Sequence, residues 1–404
     1  MNMRLYYTDS FLTEFDAQVV ESIASPRPAV ILDQSAFYPT SGGQVFDTGW
    51  LEASGARLRV VEVAEQDDRV LHYLEAAPVA LTPGAQVHGS IDLARRRDHM
   101  QQHSGQHVLS AAFIRLFEMP TVSFHMGDES CTIDLDTKSL TPEQVEAAEN
   151  FANQVVMEDR PVEIRFVSLE EARGLGLRKL PPVEREQLRL IGIRDLDLTA
   201  CGGTHVRHTG QIGAILLRKT EKVKQGMRVE FVCGGRALAA ARRDHATLTD
   251  SAAVLSAHIR ELPEQIRKLQ DEAKAARKLR SDLLNELAEL HAERLLERTP
   301  EQNGFHLVAR TFADRDLEFV RLLGQKLARA NGKKAVALLA AAQGTPTLIF
   351  AQTTGLPYDM GALMKEAMAA TGGRGGGSKD LAQGGVPKPE LLQETLEKVV
   401  AKLN

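Results

Sequence analysis

Two short motifs, about a hundred residues apart, constrain this chain more than anything else in it. HSGQH sets His103 and His107 four apart, and LTACGGTHV sets Cys201 and His205 at the same interval. On a helix, residues four apart lie on one face, one turn above the other. His103 and His107 can therefore offer two imidazoles to one ion. Gly202 and Gly203 disfavour a helix around Cys201. A loop is expected there, one that lets the backbone come close to a metal or a substrate. A thiolate and three imidazoles make a tetrahedral nitrogen and sulfur set of the kind zinc prefers. The alternative reading makes Cys201 a small core residue and His205 a surface one.

A length of 404 residues is too great for one ordinary domain. Hydrophobic residues make up 43% and charged residues 25%, as in a soluble globular chain. The start, MNMRLYYTDSFLTEFD, carries acids where a secretory signal needs an apolar core. No apolar run is long enough to span a membrane. The cysteines are Cys131, Cys201 and Cys233, too few for a disulfide framework, which points to a reducing cytoplasm. Cys131 and Cys233 lack a metal partner at a useful spacing and are expected in the core. The net charge of −5 gives no sign of a polyanionic partner. Between Arg207 and Arg243, however, nine Lys or Arg face only Glu221 and Glu230. Such a stretch can grip phosphates, or it can be a solvated face.

Residues 1 to about 90 read as β-rich. AVILDQ, RLRVVEV and AQVHGSID are separated by turn signals such as SGG and TPG, and a small barrel or sandwich is expected. A helical pattern begins at DHMQQHSGQHVLSAAFIRLF, followed by the strands TVSFHM and CTIDLD. TPEQVEAAENFANQVVMED is a helix with Thr141 as N-cap, Pro142 in the first turn and Gln144 at the capping-box position. PVEIRFV, HTGQIGAILLRK and MRVEFVCG read as strands. From Ala237 the texture changes. Leu262, Ile266, Leu269, Ala273, Ala276, Leu283, Leu287 and Leu290 follow steps of three and four, interrupted at Arg280, with charged flanks. That predicts a long helix of coiled-coil character, pairing within the chain or across a dimer. Pro300 and Gly304 end it, and residues 305–404 read as a compact α/β unit.

HSGQH, CGGTHV and AFYPTSGGQVFDTG together resemble the editing domain of alanyl-tRNA synthetase and its free-standing relatives, the AlaX alanyl-tRNA editing proteins. GGRGGGSKDLAQGG resembles the glycine-rich motif of the DHH-associated domain that ends that synthetase. The resemblance covers nearly the whole chain, and the long AlaX form fits its length. It implies an α+β multidomain protein. The expected domains are an N-terminal small β-barrel (1–92), a zinc-binding α/β editing core (93–236), a long coiled-coil-like helical connector (237–300) and a C-terminal α/β DHH-associated domain (301–404). The chain starts at the editing barrel, so a free-standing protein is expected. The resemblance also implies one Zn2+ on His103, His107, Cys201 and His205, which act in catalysis through the metal. His99, four before His103, competes as a ligand on spacing alone; the 103/107 pair is the one that matches the family motif.

The activity so implied is a cytoplasmic trans-editing hydrolase. It deacylates mischarged tRNA(Ala), mainly the serine ester and also the glycine ester. A pocket made for alanine rejects glycine or serine poorly, so a second, hydrolytic site is needed. Thr40 and His125 are candidate partners of the serine hydroxyl. Gly42 and Gly43 would let backbone amides approach the terminal ribose or ester. The glycine-rich tail fails as a P-loop, because Ser378 precedes Lys379. Read through the resemblance, Arg374 and Lys379 contact tRNA; read on composition, the tail is a flexible linker. The partner is mischarged tRNA, with no membrane and with a homodimer through the connector or C-terminal domain as an option. Four protein ligands suit a structural zinc better than a hydrolytic one. An RNA-binding or dimerisation module with a structural zinc is therefore the competing class, and a deacylase for another mischarged tRNA shares the first chemistry.

Overall fold

The strand Glu14–Ile23 alternates exposed and buried side chains, and Phe15, Ala17 and Val19 point inward. This period of two lets a strand seal a core on one side while its other side faces water. Six antiparallel strands close on this plan into a barrel, in the order Glu14–Ile23, Ala29–Leu32, Arg69–Leu74, Ala56–Gln66, Gly49–Ala53 and Gln86–Ile91. A computed structural model describes residues 3–76, 81–175, 177, 187–224 and 226–403. The chain forms two units, Met1–Asp250 and Ser251–Asn404.

From the barrel the chain enters helix α1, Leu93–Phe117. It starts five residues before the pattern at Asp98 suggested, because Asp92 caps it by accepting from the Arg95 N–H. From His99 to Phe113 every residue except Gln101 is buried. Gly105 explains one close approach: a Cβ there would stand 2.2 Å from Cys233 Sγ. Arg96 joins helix and barrel. Its fully buried guanidinium pairs with the equally buried Asp47 and donates to the carbonyls of Ser10 and Ala36. A four-stranded antiparallel sheet packs near α1, in the order Ile215–Val223, Gly226–Cys233, Cys131–Leu135 and Thr121–Met126. Helix α2, Pro142–Met157, opens on the capping box read from sequence, Thr141 with Gln144. Cys131 and Cys233 lie in the core between these elements. A smaller sheet, Val162–Ser168, Gln187–Ile193 and Asp197–Ala200, delivers the chain to Cys201.

The second unit carries a six-stranded mixed sheet with apolar clusters on both faces. Over 237–300, where a helical connector is expected, one helix, Gly234–Val254, ends before a short turn, and a long second helix, Leu262–Arg298, follows. On that helix Ala288, Ala292 and Leu296 are buried in the second unit's core, while Ile266, Leu269, Leu279, Leu283 and Leu290 are exposed. The glycine-rich tail is a hairpin on the edge of the sheet, Arg374–Gly377 against Leu381–Gly385. Among the described residues, no helix is long and apolar enough to cross a membrane.

His72, wholly buried in the barrel, tests how far this core tolerates charge. Its Nδ1 faces the Val30 carbonyl at 3.1 Å, which can only accept, so Nε2 accepts from the Ser35 hydroxyl at 2.7 Å. Burial lowers its pKa from 6.5 to about 4. The unfolded chain binds this proton near pH 6.5, the folded chain only near 4. The stabilisation is thus complete above pH 6.5 and lost as pH falls through 4. At ~1.4 kcal/mol per unit, it is on the order of 3 kcal/mol. Denaturant titrations from pH 7 to 4 should show His72→Asn taking up about one proton fewer on unfolding than the parent; identical slopes would refute this.

Candidate metal centre

The fold brings both motif pairs together. His103 and His107 come from α1, and Cys201 and His205 from the loop after Asp197–Ala200. Their four ligand atoms all lie within 4.8 Å of one another. Cys201 Sγ stands 3.5 Å from His103 Nε2 and 3.3 Å from His205 Nε2. Bonds of 2.0–2.3 Å to a tetrahedral ion would put ligand atoms roughly 3.4–3.7 Å apart, so the donor set fits a metal ion.

Each imidazole is held from behind. His103 Nδ1 meets Gln44 Oε1 at 2.8 Å, His205 Nδ1 meets Ser104 Oγ at 3.1 Å, and His107 Nδ1 faces Asp197 Oδ2 at 3.4 Å. In the tautomer in which the Nδ1–H of His103 and His205 donates outward, Nε2 has a lone pair to offer a bound ion. Ser104 Oγ also accepts the Val206 N–H, and Ser10 Oγ accepts that of His205. Gln44 Oε1 also accepts the Thr204 N–H, while its Nε2 donates to Thr204 Oγ1.

Two tight backbone approaches complete the site. The Ser41–Gln44 turn has positive φ at both Gly42 (58°) and Gly43 (85°), the type I′ signature. A Cβ on Gly43 would stand 2.5 Å from the Phe124 carbonyl oxygen. A Cβ on Gly203 would stand 2.1 Å from His103 Cε1, whereas one on Gly202 would meet nothing nearer than Tyr7 Oη at 3.5 Å.

Electrostatics separate the ligands. Burial alone would raise the Cys201 thiol. The neighbouring His103 and His205 rings and hydrogen bonds from the histidines outweigh it and hold the thiol well below its ordinary range. Burial drives His205 down to about 3. Burial, the largest single influence, works against charge on His107, but Asp197 and Cys201 together outweigh it, and its pKa is raised. His99, buried and pushed down to about 3, lies outside the four-residue cluster.

The cluster borders a cleft of about 530 Å³, with His103, His107 and Cys201 in its wall. Phe124 stacks on His103 at 5.4 Å between ring centres. Tyr38, Gly42 and Thr199 also line it. Of the other residues singled out from sequence, Gly42 reaches the cleft and Gly43 supports its turn. Thr40 and His125 are exposed, and neither belongs to the cleft wall. Thr40 is tied through its N–H to the Val63 carbonyl, and His125 sits opposite Thr132 in the sheet. Arg374 and Lys379 are exposed on the edge hairpin of the second unit. Sequence reading missed Gln44, Ser104 and Asp197. Gln44 and Ser104 lie inside the SGGQ and HSGQH motifs, which was the available signal; Asp197 carries none.

Three families match parts of the chain: tRNA synthetases class II (A) over residues 6–95, the threonyl and alanyl tRNA synthetase second additional domain over 188–229, and the DHHA1 domain over 308–404. The alanine–tRNA ligase of Pyrococcus furiosus is 33% identical over 406 residues, which is 99% of this chain and 43% of that protein. The chain therefore spans less than half the length of such ligases. The alanyl-tRNA editing protein AlaX-L of Pyrococcus horikoshii is 30% identical over 418 residues, 99% of both chains. The crystal structure of the C-Ala domain from Aquifex aeolicus alanyl-tRNA synthetase aligns with 25% of this chain and 94% of its own, at 23% identity and a TM-score of 0.23.

The two glycines of the loop make a matched test. A Gly203→Ala methyl would overlap the His103 ring, so a roughly tenfold or greater loss of metal affinity is expected, as for disturbed ligand supports. Gly202→Ala should bind metal as the parent does. Chelator competition on both variants measures this, and equal affinities would contradict the geometry.

Proposed function

The chain belongs to the family of the alanyl-tRNA editing protein AlaX-L, and from that premise we propose that it is a zinc-dependent deacylase of mischarged tRNA(Ala). Its main substrate is the serine ester, with the glycine ester as a second. The observation that carries this reading is a four-donor nitrogen and sulfur cluster opening on a cleft. Three imidazoles and one thiolate suit zinc better than harder or larger ions. The bound ion supplies Lewis acidity, for the ester carbonyl and for the attacking water.

The rest is done by side chains of this protein. Gln44, Ser104 and Asp197 keep the three rings turned to present Nε2. The Ser41–Gln44 turn offers backbone at Gly42 to the ribose or ester. Hydroxyl recognition falls to polar groups in the cleft wall. Gln106 is oriented by donating to Ser110 Oγ at 2.8 Å, and Ser123 and Thr199 stand beside it in that wall. A site that hydrogen-bonds the serine hydroxyl leaves polar groups unpaired when alanine is bound, and so spares the correct product. The exposed Arg374 and Lys379 are assigned to contact with the tRNA backbone.

The decisive comparison is hydrolysis of Ser-tRNA(Ala) and Ala-tRNA(Ala), with and without a chelator. The serine ester should be cleaved roughly a hundredfold faster or more, and chelation should abolish that cleavage. Cys201→Ala should lower it by on the order of a hundredfold while the chain stays folded. Unfolding of that variant would favour a purely structural ion. Intact serine ester with zinc-loaded protein would overturn the alanine-editing reading, and other mischarged tRNAs would then be tried.

A further inference from the structure

Behind the Cys201 loop lies a guanidinium that the chemistry above leaves unused. Arg189 is only 7% exposed. It sits on the strand Gln187–Ile193, beside the strand that leads into Cys201. Its own carbonyl accepts the Cys201 N–H at 3.1 Å. Its side chain then returns to the other side of the same residue. Nη1 donates to the Cys201 carbonyl at 2.7 Å and to the Gly203 carbonyl at 2.9 Å. Nε donates to the Tyr7 carbonyl at 2.8 Å. Nη2 is buried without a hydrogen-bond partner among the described residues.

Burying a guanidinium is costly, and one with an unsatisfied N–H group calls for an explanation. One terminal NH2 group that gives both its hydrogens to carbonyls two residues apart, on a plane fixed by the Nε bond to Tyr7, fixes the bend of the chain between them. Here the bend is Cys201–Gly203. It presses Gly203 against the His103 ring, and it aims the Gly203 N–H at Cys201 Sγ, 3.4 Å away.

We propose that Arg189 is a positioning residue of the metal centre: it grips Cys201 on both backbone sides and holds the sulfur facing the three imidazole nitrogens before an ion arrives. This rests on the reading of the cluster as a metal site. An arginine serving only general stability would affect folding without altering how the thiolate meets the metal.

The test uses the full chain, stripped of metal, with Arg189→Lys and Arg189→Met. Three quantities are read: zinc affinity by chelator competition, the thiolate-to-metal charge-transfer absorption after loading with Co2+, and thermal unfolding of the metal-free protein. Lysine keeps the charge but has no rigid plane to hold the Tyr7, Cys201 and Gly203 carbonyls at once. Zinc affinity should fall roughly 10–100-fold in Arg189→Met, the usual range for loss of a ligand's support, and by less in Arg189→Lys. The charge-transfer band should weaken in the same order, with metal-free unfolding still cooperative. Wild-type affinity and band in both variants would overturn the assignment. If Arg189→Met fails to fold, Arg189→Lys decides by the same two readouts. A parent chain that binds zinc through Cys201 yet leaves the serine ester intact overturns the deacylase reading and not this one. A parent that takes up no metal overturns both.

Discussion

One side-chain amide ties together three stretches of chain that the sequence keeps far apart. Gln44 is fully buried, so its polar atoms must find partners inside the protein. Oε1 accepts from His103 on α1 and from the Thr204 backbone in the metal loop. Nε2 donates to the Thr204 hydroxyl. The residue itself hangs from the Ser41–Gln44 turn beside the barrel. A side-chain amide offers an acceptor and a donor on one rigid plane, and so serves both neighbours at once. Turn, helix and loop are thereby fixed to one another through a single buried group. The close contacts at Gly43 and Gly203 follow from that fixing: three backbones converge where there is no space for a Cβ.

The same logic recurs one layer out. Asp47, three residues after Gln44, receives the buried Arg96 of α1, one helical turn before His99 and two before His103. The AFYPTSGGQVFDTG segment thus meets α1 twice, through a neutral amide at the metal centre and through an ion pair at the helix's start. A buried pair of this kind adds less to stability than to register, because removing either partner strands a charge. Here the register matters. A shift of α1 along its axis would take His103 out of reach of Gln44, and His107 out of reach of Asp197.

The four donors that cluster were legible in the sequence because each pair is local. Four-residue spacing on a helix, and a cysteine and histidine around two glycines, carry their meaning without the rest of the fold. Their supports were not legible, because they act across 59 residues for Gln44 and 101 for Ser104. The capping box at Thr141 was read correctly for the same reason of locality. The long helix Leu262–Arg298 was legible, but not its partner, because leucines at three- and four-residue steps look alike whether they pack or not. In the helix Leu262–Arg298 the small residues Ala288 and Ala292 are buried, while Leu279, Leu283 and Leu290 are exposed. On composition alone the tail's glycines read as a linker, yet they lie in the paired strands of the edge hairpin. A Cβ on Gly375 would strike Gly384, and one on Gly384 would strike the sulfurs of Met364 and Met368.

Four protein ligands pose a chemical question, since a closed shell suits structure and an open one suits hydrolysis. The burial of the four ligands is uneven. His103, His107 and His205 are each 3% exposed, whereas Cys201 is only half-buried and stands in the cleft wall with Gly202 and Gly203. His205 lies behind the cleft wall, while His103, His107 and the half-buried Cys201 border it; His103 and His205 are each held by a hydrogen bond behind the ring, and His107 faces Asp197 at 3.4 Å. A molecule in the cleft would meet His103, His107 and Cys201. An ion held by the four side chains would supply Lewis acidity on that side. The backbone that carries Cys201 into that wall is also the one that accepts from the Arg189 guanidinium. A purely structural ion would need neither the cleft nor the asymmetry.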